Sequence, residues 1–283
     1  MLKGVISYWM LPLFSAVVWL AMLLAMLIHW LTQGKPHYSY MAADQTIAYI
    51  SDVGASDFKP LFIAMGTVSV VTFDLAFCAE RWLRHAGRLV HNTSRVQKFL
   101  AVMSIIFAII GAAGLILLSI FDTKNHHTLH DTFLVVFIGG YVISAIFVCA
   151  EYQRLGIHFR QFRILRISFW VKLFFIFIEL GLAIAFGVLN VRQKWNNAAI
   201  VEWVIALVYS FYVLSFAIDF LPATKTKHHQ SGQETMEEQA MAHSEVYGHH
   251  NPTNGTNSGY YPSGSSAGQP GWHRTGESTR PIV

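Results

Sequence analysis

The run FDTKNHHTLHDTFLVVFIGGYVISAIFVCAEYQRL, from Phe121 to Leu155, decides the fold. It opens on a polar turn (Asp122, His126, His127, His130, Asp131), becomes apolar from Thr132 to Ala150, and closes on Glu151 and Arg154. An apolar run of this length, charged only at its ends, matches the ~20 residues a helix needs to cross a bilayer. The polar turn then lies at one membrane face and the Glu/Arg cluster at the other. Composition extends the reading to the whole chain. Apolar residues make up 54% and charged residues 13%, against about 25% charged in an ordinary globular chain.

Working outward from this run, five more spans follow the same pattern. The six lie at about 8–31, 60–80, 99–121, 132–151, 167–189 and 198–221. The first is too long for a cleavable signal and reads as a retained anchor. Six spans put both termini on one side. On that side are Lys3, Lys225, Lys227, five basic residues of one loop (Arg81, Arg84, Arg88, Arg95, Lys98) and four of another (Arg154, Arg160, Arg163, Arg166). The opposite side has Lys35, Lys59, Lys124, Arg192 and Lys194. Twelve against five makes both termini cytosolic by the positive-inside rule. Trp9, Trp30, Trp82, Trp170, Trp195 and Trp203 fall near span ends, where an aromatic belt is expected. The fold class is therefore an all-α membrane protein: a six-transmembrane-helix bundle over 1–221, then a tail over 222–283. The tail is rich in Gly, Ser, His, Asn and Pro without apolar period, and is expected to be a disordered cytosolic segment. Its histidines (His228, His229, His243, His249, His250) read as scattered and solvated rather than as metal ligands.

Several constellations are candidates for function. Acidic residues inside spans are costly and are functional candidates by default. Asp74, Glu151, Glu179 and Asp219 form this intramembrane polar set, and Lys172 shares a helix face with Glu179 at a spacing of seven. They can sense headgroups, relay protons, or simply hydrogen-bond helices together. The extracytosolic face gathers Ser51, Asp52, Asp122, His126, His130 and Asp131. His126 and His130 have the i, i+4 spacing of a metal pair, and a zinc hydrolase is one reading. The general-base Glu of HExxH is missing, so a headgroup-facing cap on the fourth helix is the other. We assign no metal, no cofactor and no catalytic residue. On the cytosolic side, Arg81, Arg84, Arg88, Arg154, Arg160, Arg163 and Arg166 are topogenic charge that also attracts anionic phosphoinositide at the inner leaflet. Gly111/Gly114, Gly139/Gly140 and Gly181/Ala185 read as close helix-packing points. Cys78 and Cys149 lie in apolar runs, as packed or lipid-facing residues or as palmitoylation sites, and do not form a disulfide framework. The sequon Asn92-Thr93-Ser94 falls on a cytosolic loop and should carry no glycan. No phosphate-cradling loop or nucleic-acid motif is present.

Five segments carry a family resemblance: YISDVGA (Tyr49–Ala55), FDTKNHHTLHD (Phe121–Asp131), ISAIFVCAEYQRLG (Ile143–Gly156), LNVRQKWNNAAIVEW (Leu189–Trp203) and FAIDFLP (Phe216–Pro222). In this order they resemble the damage-regulated autophagy modulator and FGF-receptor-activating-protein family, and within it the fungal "suppressor of four kinase" membrane proteins. The resemblance covers about residues 5–222. It implies a six-span plasma-membrane protein, with endosomal, vacuolar or lysosomal membrane as the alternative. Its expected partners are the phosphatidylinositol 4-kinase complex and membrane lipids, sterol among them, and no nucleic acid. Its expected role is non-enzymatic, in phospholipid asymmetry and sterol retention. A distant branch remodels the lipid of glycosylphosphatidylinositol anchors, which keeps open a lipid-remodelling enzyme (acyltransferase or metal-dependent hydrolase) using the extracytosolic Asp/His face. The marks that map are Asp52, Asp122, His126, His130, Asp131 and Glu151.

Overall fold

Local signals start and stop the helices. Ser94 caps one of them: its hydroxyl accepts from the Val96 N–H (3.3 Å) while the Gln97 side chain accepts from the Ser94 N–H (3.2 Å), a capping box. Pro60 occupies the first turn of another, where its missing N–H costs nothing. The first helix ends where Gly34 takes φ +77°, a conformation open to glycine. In the computed structural model, which describes residues 8–86, 89, 94–158, 163–225 and 241, these signals bound seven helices. They are α1 (Met10–Thr32), α2 (Ile50–Gly54), α3 (Lys59–His85), α4 (Arg95–Ile120), α5 (His127–His158), α6 (Arg163–Val191) and α7 (Trp195–Lys225). All but α2 are long and apolar enough to cross a membrane, giving six candidate spans. No strand occurs among the described residues.

The long helices outrun the apolar runs that announced them. α5 starts at His127 and continues to His158, so His127, His130 and Asp131 of the polar turn and the Glu151–Arg154 exit are themselves helical, while Asp122 and His126 precede the helix. Hydrogen bonding of the i, i+4 kind does not stop where hydrophobicity does. Capping signals, not the end of the apolar run, mark where it stops. The tail from 226 onward, Met241 excepted, lies outside the described residues, as do Asn92 and Thr93.

Each spanning helix packs on its chain neighbour, and α1 also packs on α7. The six spans therefore form a closed ring of antiparallel neighbours. The α1–α7 seam is fastened by the Trp19 indole N–H donating to the Ala206 carbonyl at 2.9 Å. At the centre, Phe73 is fully buried against Phe77, Tyr141, Tyr209, Tyr212 and Phe216. The tightest pair is α4–α5. A Cβ placed on Gly140 would come within 2.6 Å of the Gly111 nitrogen, and one on Gly114 within 2.6 Å of the Phe137 nitrogen. Gly139 and Gly181 do not share this role. Nothing lies within 4 Å of a Cβ at either, because neither turns toward the α4–α5 contact.

The termini-side end carries a layer of buried charge. Arg84 Nη2 meets Glu80 Oε1 at 2.6 Å, and the Tyr152 hydroxyl donates to the same oxygen at 2.8 Å. Lys172 pairs with Asp219, which also accepts from Ser168, and its ammonium lies 4.3 Å from the Phe216 ring centre and 4.7 Å from that of Tyr152. Arg81 bridges to Glu151 at 3.0 Å. These contacts correct three readings. Arg84 is 4% exposed and is no surface residue, because Glu80 one turn earlier takes its charge into the bundle. Arg81 is half-buried for the same kind of reason. Lys172 turns across to α7 instead of joining Glu179 in one stripe. Asp74 receives the Tyr141 hydroxyl at 3.3 Å. Arg95, Lys98, Arg154 and Arg166 are exposed, while Arg88, Arg160 and the Arg163 side chain lie outside the described part. Cys78 is exposed and Cys149 buried.

Candidate functional site

The end of the bundle opposite the termini, called the distal end below, is organised by α7. The loop over 33–58 buries Met41, Ala48, Ile50 and Val53 in the core and is also held by side chains from the first turns of that helix. Asn196 Oδ1 accepts from the backbone N–H of Thr46 (2.7 Å) and Ile47 (2.9 Å). Glu202 Oε2 accepts from the Ile50 N–H at 2.7 Å, and the Trp203 indole donates to the Ala48 carbonyl at 3.0 Å. Trp203 and Trp30 are buried and fasten this loop rather than belonging to an aromatic belt, since their N–H groups find carbonyl partners inside; Trp30 donates to Pro36.

Within the loop, α2 is built around Asp52. Its Oδ2 accepts from the Tyr49 N–H and from Gln45 Nε2, both at 2.9 Å, and the Tyr40 hydroxyl donates to its backbone carbonyl at 2.8 Å. Burial pushes the Asp52 carboxyl above the ordinary carboxylate range, against the opposing effect of these hydrogen bonds. Burial likewise raises Tyr40 and Tyr49. Asp122 behaves oppositely. Burial alone would raise it, but Lys59 and the backbone and side-chain donors of Asn125 hold it low.

His130 is 2% exposed and faces inward from the first turn of α5. Its Nδ1 lies 2.9 Å from the Leu118 carbonyl and 3.1 Å from that of Phe121, and its Nε2 has no hydrogen-bond partner. His126 is exposed, with its ring edge-on to Phe121, and His127 pairs with Asp131 at 3.0 Å. The i, i+4 histidines therefore do not converge. Among the described residues no three His, Cys, Asp or Glu side chains come together as a metal-binding group.

Between α5 and α6 lies a cleft of about 830 Å³. Its mouth is polar, with Ser51, Asp52, His127, His130, Asp131 and Glu202. Its walls are apolar, with Leu134, Ile138, Gly139, Ala183 and Phe186. A cavity of about 110 Å³ shares Ser51, His130, Leu134, Ile138, Phe186 and Glu202 with it and continues to Trp19, Glu179 and Tyr209. The cleft exists because α6 packs through Leu165, Ser168, Lys172 and Ile176 near the termini-side end and has no buried residue beyond Ile176. The distal halves of α5 and α6 are apart, with Val135 (71% exposed) and Val191 (86% exposed) at the rim. Of the residues singled out for this face, the cleft gathers Ser51, Asp52, His130 and Asp131; Asp122 and His126 lie elsewhere.

The model of the Frag1/DRAM/Sfk1/Cwh43P N-terminal domain matches residues 7–223. The chain belongs to this family. Within the Frag1/DRAM/Sfk1 family it is 30% identical over 212 residues to Protein sfk1 of Schizosaccharomyces pombe, an alignment covering 75% of this chain and 63% of that protein. It is 25% identical to Protein SFK1 of Saccharomyces cerevisiae, over 74% of this chain and 76% of that one. No solved structure matches. The matched region takes in all six spans and the whole cleft, so the site is part of the Frag1-type domain itself. Sequence reasoning missed two of its members: Glu202 was signalled by a carboxylate two turns into an apolar helix, and Gln45 had no sequence signal. At the opposite end it also missed Glu80, signalled by its i, i+4 relation to Arg84.

Proposed function

We propose that this Sfk1-type protein is a non-enzymatic organiser of the plasma membrane, which holds bilayer lipid in the α5–α6 cleft. It acts with the phosphatidylinositol 4-kinase assembly at the inner leaflet and contributes to phospholipid asymmetry and sterol retention. The observation that carries this reading is the cleft, whose polar mouth, apolar walls and sideways opening match the shape of a lipid rather than of a water-soluble substrate. Its volume falls in the ordinary range of ligand sites, about 300–1,000 Å³. The mouth carboxylates of Asp52 and Glu202 are engaged in holding the 33–58 loop, which suits a binding role. Exposed Arg95, Lys98, Arg154 and Arg166 at the opposite end supply positive charge for anionic lipid or for the kinase assembly.

The test is deletion of the protein followed by measurement of lipid distribution and lipid identity together. An organiser changes which leaflet holds a phospholipid, how well sterol is retained and how much kinase is recruited, with every lipid species at its normal abundance. Accumulation of one lipid species on deletion, reversed by the wild-type protein and not by His130→Ala, would instead establish a lipid-remodelling enzyme.

A further inference from the structure

His130 decides what kind of head the cleft accepts. Its Nδ1 lies against two carbonyl oxygens, which only accept, so Nδ1 carries the proton. In the neutral ring, Nε2 is then a lone-pair acceptor, buried, unpartnered and at the junction of the two cavities. A buried acceptor without a donor is costly, so the site is completed by something that donates. The neighbours impose the same demand. Asp52 and Glu202 bring carboxylates to the mouth, and no Lys or Arg is among the residues lining either cavity. A bare phosphate would meet acceptors and the Asp131 carboxylate with no Lys or Arg to balance it. Deeper, Glu179 Oε1 is also without a partner, so the apolar walls do not run uninterrupted.

We infer that the α5–α6 cleft binds one membrane lipid whose head donates hydrogen bonds, through a hydroxyl or an ammonium group, to His130 Nε2 and the carboxylates beside it. The inference rests on the lipid-holding reading above and adds the selection rule. The chains or ring system of the lipid run along Leu134, Ile138 and Phe186, and the molecule enters sideways past Val135 and Val191. Gly139 and Gly187 border this path with nothing within 4 Å of a Cβ on either, so the path is open to a side chain as it is to a lipid.

The test uses the full-length protein in nanodiscs with photoreactive lipids in matched pairs that differ only in donors. One pair is an ethanolamine and a choline phospholipid; the other is a sterol and its 3-methyl ether. Crosslinks are read on the peptides of α5 and α6. The expected result is labelling by the donor-bearing member of at least one pair, about tenfold above its donor-free partner. Whichever pair discriminates identifies the donor as ammonium or hydroxyl. His130→Phe should remove the discrimination. Gly139→Leu, which puts a side chain into the open apolar path, should remove the labelling while leaving the thermal unfolding midpoint in place. Equal labelling by both members of both pairs, abolished by Gly139→Leu, overturns the selection rule and leaves the lipid-holding reading standing. No cleft labelling by any probe overturns both and makes the cleft a water-filled vestibule. If His130→Phe fails to fold, the matched pairs and Gly139→Leu still decide the matter.

Discussion

Asp52 and Asp122 lie at the same end of the molecule, and both are buried, yet their surroundings drive their carboxyls in opposite directions. For Asp122, burial is outweighed by Lys59 and Asn125, and the carboxyl is held below its ordinary value. The stability it adds is present above the unfolded value of about 3.9 and is lost as pH falls through the folded one. Asp122→Asn should therefore cost roughly 1.5–3 kcal/mol at neutral pH, the worth of hydrogen bonds to a charged group. That gap should close in acid. For Asp52, burial outweighs the Tyr49 and Gln45 donors, and the carboxyl is raised. Its contribution is present below the unfolded value and is lost as pH rises through the folded one. Wild type should gain stability relative to Asp52→Asn as pH is lowered from 7. Thermal unfolding of the detergent-solubilised variants, followed by tryptophan fluorescence from pH 7.5 downward, checks both; parallel curves for the two variants would contradict the assignment. Neither behaviour was legible in the sequence, which marked both aspartates as one polar face. Their partners Gln45 and Lys59 lie 7 and 63 residues away, and nothing in the local pattern links them.

Between elements, the closest approach in the molecule is the glycine contact of α4 with α5. Gly140→Ala should destabilise the protein by about 1–3 kcal/mol, since its Cβ would press on backbone that has no room to move. Gly139→Ala, one position away, should be neutral in the same unfolding experiment. The sequence marked both as packing points because a small residue is a small residue; consecutive residues on a helix turn by about 100°, and only the partner's position tells which one is pressed. The buried charges teach the same lesson. Lys172 and Asp219 were each recognisable as costly, but their pairing spans 47 residues and two helices. Arg84 was read as one more topogenic arginine, although Glu80 one turn before it was a visible sign of an internal ion pair. Helix α2 escaped because five residues are too few to display a period.

At the scale of the whole molecule, six spans were readable because length and hydropathy alone decide them. The cleft was not, because it depends on where α6 stops packing on α5. The direction of insertion is a separate expectation, resting on the basic residues of the loops. In a variant with Cys78 and Cys149 replaced by Ser, single cysteines at Lys124 and Gln193 should react with a membrane-impermeant maleimide on intact cells. Single cysteines at Lys98 and Lys225 should react only after permeabilisation; the reverse pattern would invert the protein. The ring itself also orders events in time. The contact that closes it, Trp19 to Ala206, joins residues 187 apart, and the 33–58 loop is fastened by Asn196, Glu202 and Trp203 on the same final helix. During synthesis, five spans must therefore wait in the bilayer with an open seam and an unfastened loop until the sixth arrives. Ring closure, fastening of the 33–58 loop and completion of the cleft then coincide, so a chain that loses its last helix loses all three at once and offers the cell's quality control an unmistakable defect.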